Sequence, residues 1–152
     1  MKSVSLTLCA LCVVLSASAI ASSAKMTSAM APTIVMPGGV KWSPVPGVAN
    51  CWVATIYGTP DKAGSGEYAQ RYKLADGLKF PVHYHLQTEQ VTVLSGTLLV
   101  GLGDKFDASK LSPLAAGSFV AIPAHLNHFA QAKGETILEV HGNAPASMVM
   151  VK

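Results

Sequence analysis

Charge is scarce in this chain. Asp, Glu, Lys and Arg make up 12% of the 152 residues, and 11 basic against 8 acidic side chains leave a formal charge of only +3. A balance that small, with the charges scattered, argues against a nucleic-acid surface. Cysteine is nearly absent, and two of the three, Cys9 and Cys12, sit in the first dozen residues. Cys51 then has no partner, and a thiol in the apolar run CWVATIYG reads as a buried structural group. Long hydrophobic stretches are missing too. The longest, LTLCALCVVL near the N-terminus, is about half the roughly 20 residues that a membrane helix needs. No segment sustains a helical period, and no internal repeat is present.

The start of the chain has its own logic. Lys2, the apolar LTLCALCVVL and the small-residue SASAIASSA follow the order of a positive region, a short hydrophobic region and a cleavage region. Cleavage after Ala19-Ile20-Ala21 or Ser22-Ser23-Ala24 would place the mature start near Ser22 or Lys25. Residues 1–24 are therefore expected to be a signal peptide, and the protein to be exported to a periplasm or secreted. Neither Cys9 nor Cys12 follows a lipobox at the right depth, so no lipid anchor and no membrane contact are expected after cleavage. The remaining 128 residues, ten basic against eight acidic, suffice for one domain with one core.

Residues 25–39, KMTSAMAPTIVMPGG, are small and Pro/Gly-punctuated, an arm or linker in which residues 33–36 would add an edge strand. From there to residue 152 short β-type runs recur between turn residues: CWVATIYG, EYAQRYKL, FPVHYH, QVTVLSG, TLLVGLG, GSFVAIP, HFAQA, ETILEVHG and SMVMVK. Such spacing predicts an all-β sandwich or barrel. Ser95-Gly96 reads as a tight hairpin between two strands. Residues 107–114 allow a turn of helix.

Chemistry concentrates in GLKFPVHYHLQTEQVTVLSG. His83, His85 and Glu89 have the same parity, so an extended strand would project them to one face. Two imidazoles and a carboxylate suit borderline divalent metals. His128, in GSFVAIPAHLNHFAQA, is a fourth candidate that only folding could deliver. Tyr84 has the opposite parity and is expected to pack outside. Gln87 shares the histidines' parity and is expected to hydrogen-bond a ligand or water. His125 reads as a loop residue and His141 as a cap at the end of a strand. The acidic GLGDKFD lacks calcium-loop spacing and reads as a solvated hairpin.

This pattern resembles the cupin superfamily. Gly77, His83, His85, Glu89 and Gly96 match its first motif without a gap, and Gly117, Pro123 and His128 match its second. His125 stands where that second motif usually has glycine, and Ala132 where it usually has asparagine. The resemblance spans about residues 40–152 and is similar in general character to small, exported, single-domain bacterial cupins. It implies a single-domain jelly roll, or double-stranded β-helix barrel, with one divalent transition metal (Mn, Fe, Ni, Cu or Zn) on His83, His85, Glu89 and His128. It also implies a small-molecule ligand and a homodimer through sheet edges.

Three neutral imidazoles and one carboxylate would leave a divalent ion with net charge of about +1 and open positions for a bidentate ligand such as a keto acid, enediol or catechol. Glu89, displaced from the metal, would serve as catalytic base, as in some cupins. The expected function is oxygenase- or isomerase-type chemistry on a small oxygen-rich ligand. The rival is a non-catalytic metal or small-molecule binder or sensor, favoured by a cavity whose expected lining, Val91, Val93, Phe119 and Ala130, is apolar.

Overall fold

The computed structural model describes residues 31–152; the expected leader and residues 25–30 of the arm lie outside them. No helix among the described residues is long and apolar enough to cross a membrane. Nine strands follow in order: β1 (Ser43–Pro44), β2 (Cys51–Tyr57), β3 (Glu67–Leu74), β4 (Lys79–Tyr84), β5 (Glu89–Leu102), β6 (Ser112–Ala115), β7 (Phe119–Ile122), β8 (His128–Asn143) and β9 (Val149–Met150). Short 3-10 turns occupy Pro37–Gly39 and Ala108–Lys110. The second falls in the segment expected to turn, capped by the Asp107 side chain, which accepts from the Ser109 N–H.

All strand pairings are antiparallel, and β5 and β8 are the spine. They are long and bent, so each contributes to two sheets. One sheet runs β1-β2-β3, then the C-terminal half of β8, the N-terminal half of β5, and β7. The other runs β9-β4, then the N-terminal half of β8, the C-terminal half of β5, and β6. The two faces close on a core of Leu74, Val91, Val93, Leu98, Ala130, Leu138 and Val140, with the buried Cys51 among them. Full burial of each leucine or valine contributes about 1.5–3 kcal/mol. This is the jelly-roll barrel expected from the strand spacing.

The bend corrects the expected hairpin. QVTVLSG and TLLVGLG are one strand, and HFAQA and ETILEVHG are another; the ladder between them shifts register at Ser95 instead of ending there. Gly96 takes a left-handed backbone, φ +76°, as does Gly134 (φ +74°) on the opposite strand. A Cβ on Gly96 would lie 2.3 Å from the Glu135 carbonyl oxygen, so both strands must turn together. A tight turn and a bent strand both want glycine, which is why the dipeptide did not distinguish them.

The expected edge strand at residues 33–36 does not form. Pro32 and Pro37 flank it, proline cannot donate to a ladder, and Ile34 and Met36 are exposed.

Gly96→Ala should destabilise the protein by at least ~2 kcal/mol, combining left-handed strain with the backbone clash. Gly117→Ala, at φ +88° in open space, should cost only about 1–2 kcal/mol of strain. Urea unfolding of the two variants compares them, and equal losses would mean that the bend tolerates a side chain.

Candidate metal centre

His83 on β4 and His128 on β8 are direct cross-strand partners, and their ring centroids lie 4.2 Å apart. A bulge between Phe80 and His83 inserts one residue, so that both Phe80 and His83 face the interior. Pro81 sits in this bulge, where a missing N–H costs nothing. His85, two residues past His83, projects to the same side; its ring centroid is 5.1 Å from that of His83 and 5.2 Å from that of His128. One nitrogen of each imidazole comes within 4.8 Å of the other two. The three residues are buried, at 3%, 9% and 2% exposure for His83, His85 and His128.

Glu89 reaches the cluster by another route. Residues 86–88 bend the chain, and Glu89 opens β5, so it does not share a strand with the two histidines as parity suggested. Its Oε2 lies 3.2 Å from His85 Nε2 and 3.8 Å from His128 Nε2. The structure therefore brings all four candidates together, with the three histidines as the tight cluster and Glu89 beside two of them.

The orientation of the rings is set by the backbone. His83 Nδ1 donates to the Pro81 carbonyl at 2.7 Å and His128 Nδ1 to the Leu126 carbonyl at 2.9 Å. His85 Nδ1 donates to the Ser147 carbonyl. A carbonyl can only accept, so each ring carries a proton on Nδ1, which leaves Nε2 as the atom available to a metal. Among the described residues, His85 Nε2 is the one buried side-chain nitrogen or oxygen without a well-aligned hydrogen bond, and its polar neighbour is Glu89 Oε2 at 3.2 Å, so a proton or a cation must lie between the two. An unsatisfied buried lone pair is costly, and a cation among these nitrogens would satisfy it. The donor set fits a divalent transition metal.

Electrostatics favour the neutral form for two of the three rings. Burial pushes the His83 imidazole down to about 4, reinforced by the neighbouring His128 and His85 against the Pro81 hydrogen bond. His128 is lowered for the same first reason. For His85, burial acts downward, but the Glu89 carboxylate and the Ser147 carbonyl outweigh it and raise the value. Neutral imidazoles are the form that ligates metal.

The cluster lines a cavity of about 370 Å³. Val91, Val120, Ile122, Ala130 and Val140 line much of it, and Tyr68, Gln70, Tyr72 and Ser147 supply polar edges. Of the expected lining residues, Val91 and Ala130 hold. Val93 is buried in the core without reaching the cavity, and Phe119 is 58% exposed. Val120 and Ile122, cross-strand from Val91 and Glu89, occupy the inner face of β7, which puts Phe119 outside. The alternation EYAQRYKL places Tyr68, Gln70 and Tyr72 on one face of β3. That pattern was present in the sequence, but nothing local identified the face as the inner one.

The remaining candidates lie elsewhere. Gln87 is exposed and borders a separate polar pocket of about 190 Å³ with His141 and Asn143, because residues 86–88 leave the extended path. His141 pairs with Glu139 at 3.1 Å, and Glu139 with Arg71 at 2.7 Å, outside the main cavity. Tyr84 packs at a tilt against His125, at 5.5 Å between centroids. His125 adopts φ 63° in a turn closed by the Leu126 N–H on the Pro123 carbonyl, and its own N–H donates to the His85 carbonyl at 2.9 Å. It keeps the left-handed conformation that glycine would supply there. Asp104 and Asp107 spend their oxygens on Asn127 and Ser109, in keeping with a solvated loop.

No protein-family model matches the sequence, and no curated protein does. Solved structures do resemble it. The polyketide cyclase RemF from Streptomyces resistomycificus is 20% identical with a TM-score of 0.65, covering 80% of this chain and 87% of its own. An RmlC-like cupin from Shewanella frigidimarina is 17% identical with a TM-score of 0.58, over 74% and 91%. Salicylate 1,2-dioxygenase from Pseudoaminobacter salicylatoxidans, solved with gentisate, is 14% identical with a TM-score of 0.53, over 66% of this chain and 26% of that one. The chain has the cupin fold, and its histidine cluster is one that could hold a metal ion.

Two outcomes follow from the geometry. The metal-free protein should lose about 1–3 kcal/mol between pH 7 and pH 4. His83 and His128 accept protons in the unfolded chain near pH 6.5, but only at lower pH when folded, so acid favours unfolding; the raised His85 offsets part of this. Thermal unfolding across that range measures it, and a flat profile would contradict the burial of neutral imidazoles. His125→Gly should leave bound metal unchanged, and a large loss on elemental analysis would make His125 a ligand.

Proposed function

We propose that this chain is an exported mononuclear metal-binding cupin. His83, His85, His128 and Glu89 hold one divalent ion, and the site carries out oxygenase- or isomerase-type chemistry on a small ligand. The observation that carries the reading is the set of three buried imidazoles held through Nδ1 on backbone carbonyls, with Glu89 Oε2 beside the Nε2 atoms of His85 and His128. A divalent ion there supplies Lewis acidity, and redox chemistry if it is iron, manganese or copper.

The chain's own residues do the rest. The backbone carbonyls fix the tautomers, so the rings need not reorganise on loading. The apolar walls exclude water and bind the body of the ligand, which is less oxygen-rich than its metal-binding end. Glu89 is the acid–base group: once displaced from the ion, its carboxylate, with Oε2 3.2 Å from His85 Nε2, takes a proton from a ligand hydroxyl.

A second reading, a non-catalytic binder of a metal or small molecule, is favoured by the shortage of acid–base groups. Beyond the proposed ligands, the cavity adds only Asp61, Cys51 and two phenols to its titratable lining. Burial pushes the Cys51 thiol up to about 11 and leaves it unreactive.

Elemental analysis of protein purified without chelators should find about one divalent transition metal per chain. His83→Ala/His85→Ala should bring this near zero and remove the metal-dependent part of the thermal stability, about 2.7 kcal/mol at a metal concentration 100 times Kd. Stoichiometric metal in the double variant would mean that the ligand assignment is wrong. Glu89→Gln should keep at least part of the metal while abolishing turnover in oxygen-consumption screens with enediols, catechols and keto acids. Zinc without turnover would favour the binder.

A further inference from the structure

Three polar side chains alternate along the inner face of β3, and two of them are committed to each other. The Tyr72 hydroxyl donates to Gln70 Oε1 at 3.1 Å, and Gln70 Nε2 donates to Thr55 Oγ1 at 3.5 Å. Tyr68 is different. It is 8% exposed and lines the cavity, yet its hydroxyl donates to no other described residue.

Its place in the sheet explains where that hydroxyl goes. Tyr68 pairs with Gly142 across β3 and β8, and Gln90 pairs with His141 across β8 and β5. One step along the second ladder, Glu89 falls beside Gly142, so Tyr68, Gly142 and Glu89 form a row across the sheet. Tyr68 and Glu89 both line the cavity. The middle member has no side chain. A Cβ on Gly142 would lie 2.9 Å from Tyr68 Oη and 3.1 Å from two carbons of the ring. The phenol therefore lies across β8 over Gly142, toward the carboxylate that borders the imidazoles. Burial first, and the Glu89 charge second, push the phenol's pKa up, so the hydroxyl stays protonated.

We propose that Tyr68 determines ligand specificity at the metal site. Its hydroxyl donates to one oxygen of a flat, unsaturated ligand bearing two neighbouring oxygens, as in a catechol or an enolised diketone, and Gly142 is the gap that lets the ring reach it. The inference rests on the proposed metal reading and adds to it the class of ligand. A cavity of about 370 Å³ walled by valine and isoleucine holds one or two fused rings, and one unspent donor at its metal end selects for oxygen at that position. A site built around such a donor rejects an analogue that lacks the acceptor.

The test uses the zinc-loaded protein and 4-nitrocatechol, with binding followed by the change in the probe's absorbance. The wild type should bind it, and Tyr68→Phe should bind about tenfold more weakly at unchanged zinc content, the loss of one buried hydrogen bond. Gly142→Ala should weaken binding to a similar degree, since the new methyl meets the movable end of Tyr68. The double variant should lose no more than either single one, because the glycine acts through the phenol. Wild-type affinity in Tyr68→Phe, additive losses in the double variant, or no binding of the probe by the zinc-loaded wild type would each overturn the role of Tyr68. Failure of the wild type to retain zinc would instead overturn the metal site beneath it.

Discussion

The bend in the β5–β8 ladder is the constraint on which the rest of this molecule depends. Glu89 opens β5, while His128 pairs with Leu102 at its far end. Thirteen residues of straight strand would separate those two places by roughly 40 Å. In the folded chain Glu89 Oε2 and His128 Nε2 are 3.8 Å apart. The left-handed glycines Gly96 and Gly134 fold the ladder onto itself, and the two ends meet inside a closed barrel. Both sheets, the core between them and the cavity follow from that one change of direction.

Closure also sets the chemistry. Burying three imidazoles together costs solvation, and the fold offsets it by giving every Nδ1 a backbone carbonyl. Two of those carbonyls, Pro81 and Leu126, lie two residues before the ring they hold, so the local chain supplies them. The third, Ser147, comes from beyond the end of β8 and joins His85 to the segment that leads into β9. What remains is a set of Nε2 atoms gathered around Glu89 beside an apolar space, an arrangement that favours a metal ion on one side and an apolar ligand body on the other. The solved structures that share the fold include a polyketide cyclase and a salicylate dioxygenase. That range is the reason the chemistry has to be argued from this chain's own cavity.

Much of this was legible in the residues. Strand-forming runs set off by turn residues marked the elements, and the spacing of His83, His85, Glu89 and His128 marked the site. Parity placed His83 and His85 correctly because both lie at the end of one extended segment. It misplaced Gln87, since residues 86–88 leave that path. It could not assign a face to β3 or β7, so Tyr68, Gln70 and Tyr72 went unnoticed and Phe119 was put inside. Alternation says which side chains share a face, and only a partner sheet says which face is buried.

By itself, the amino-acid sequence determined the donor types and most of the strand-forming runs, because each is a property of neighbouring residues. His125 illustrates the limit of that reading: its non-glycine identity weakened the motif, yet the turn forms with φ 63° and its N–H still reaches the His85 carbonyl. Only the tertiary structure decided that Ser95-Gly96 bends a strand, that the Tyr68 ring crosses Gly142, and that His128 joins residues some 40 positions away. Those outcomes depend on which surfaces meet when the two sheets close, and no local preference encodes that meeting.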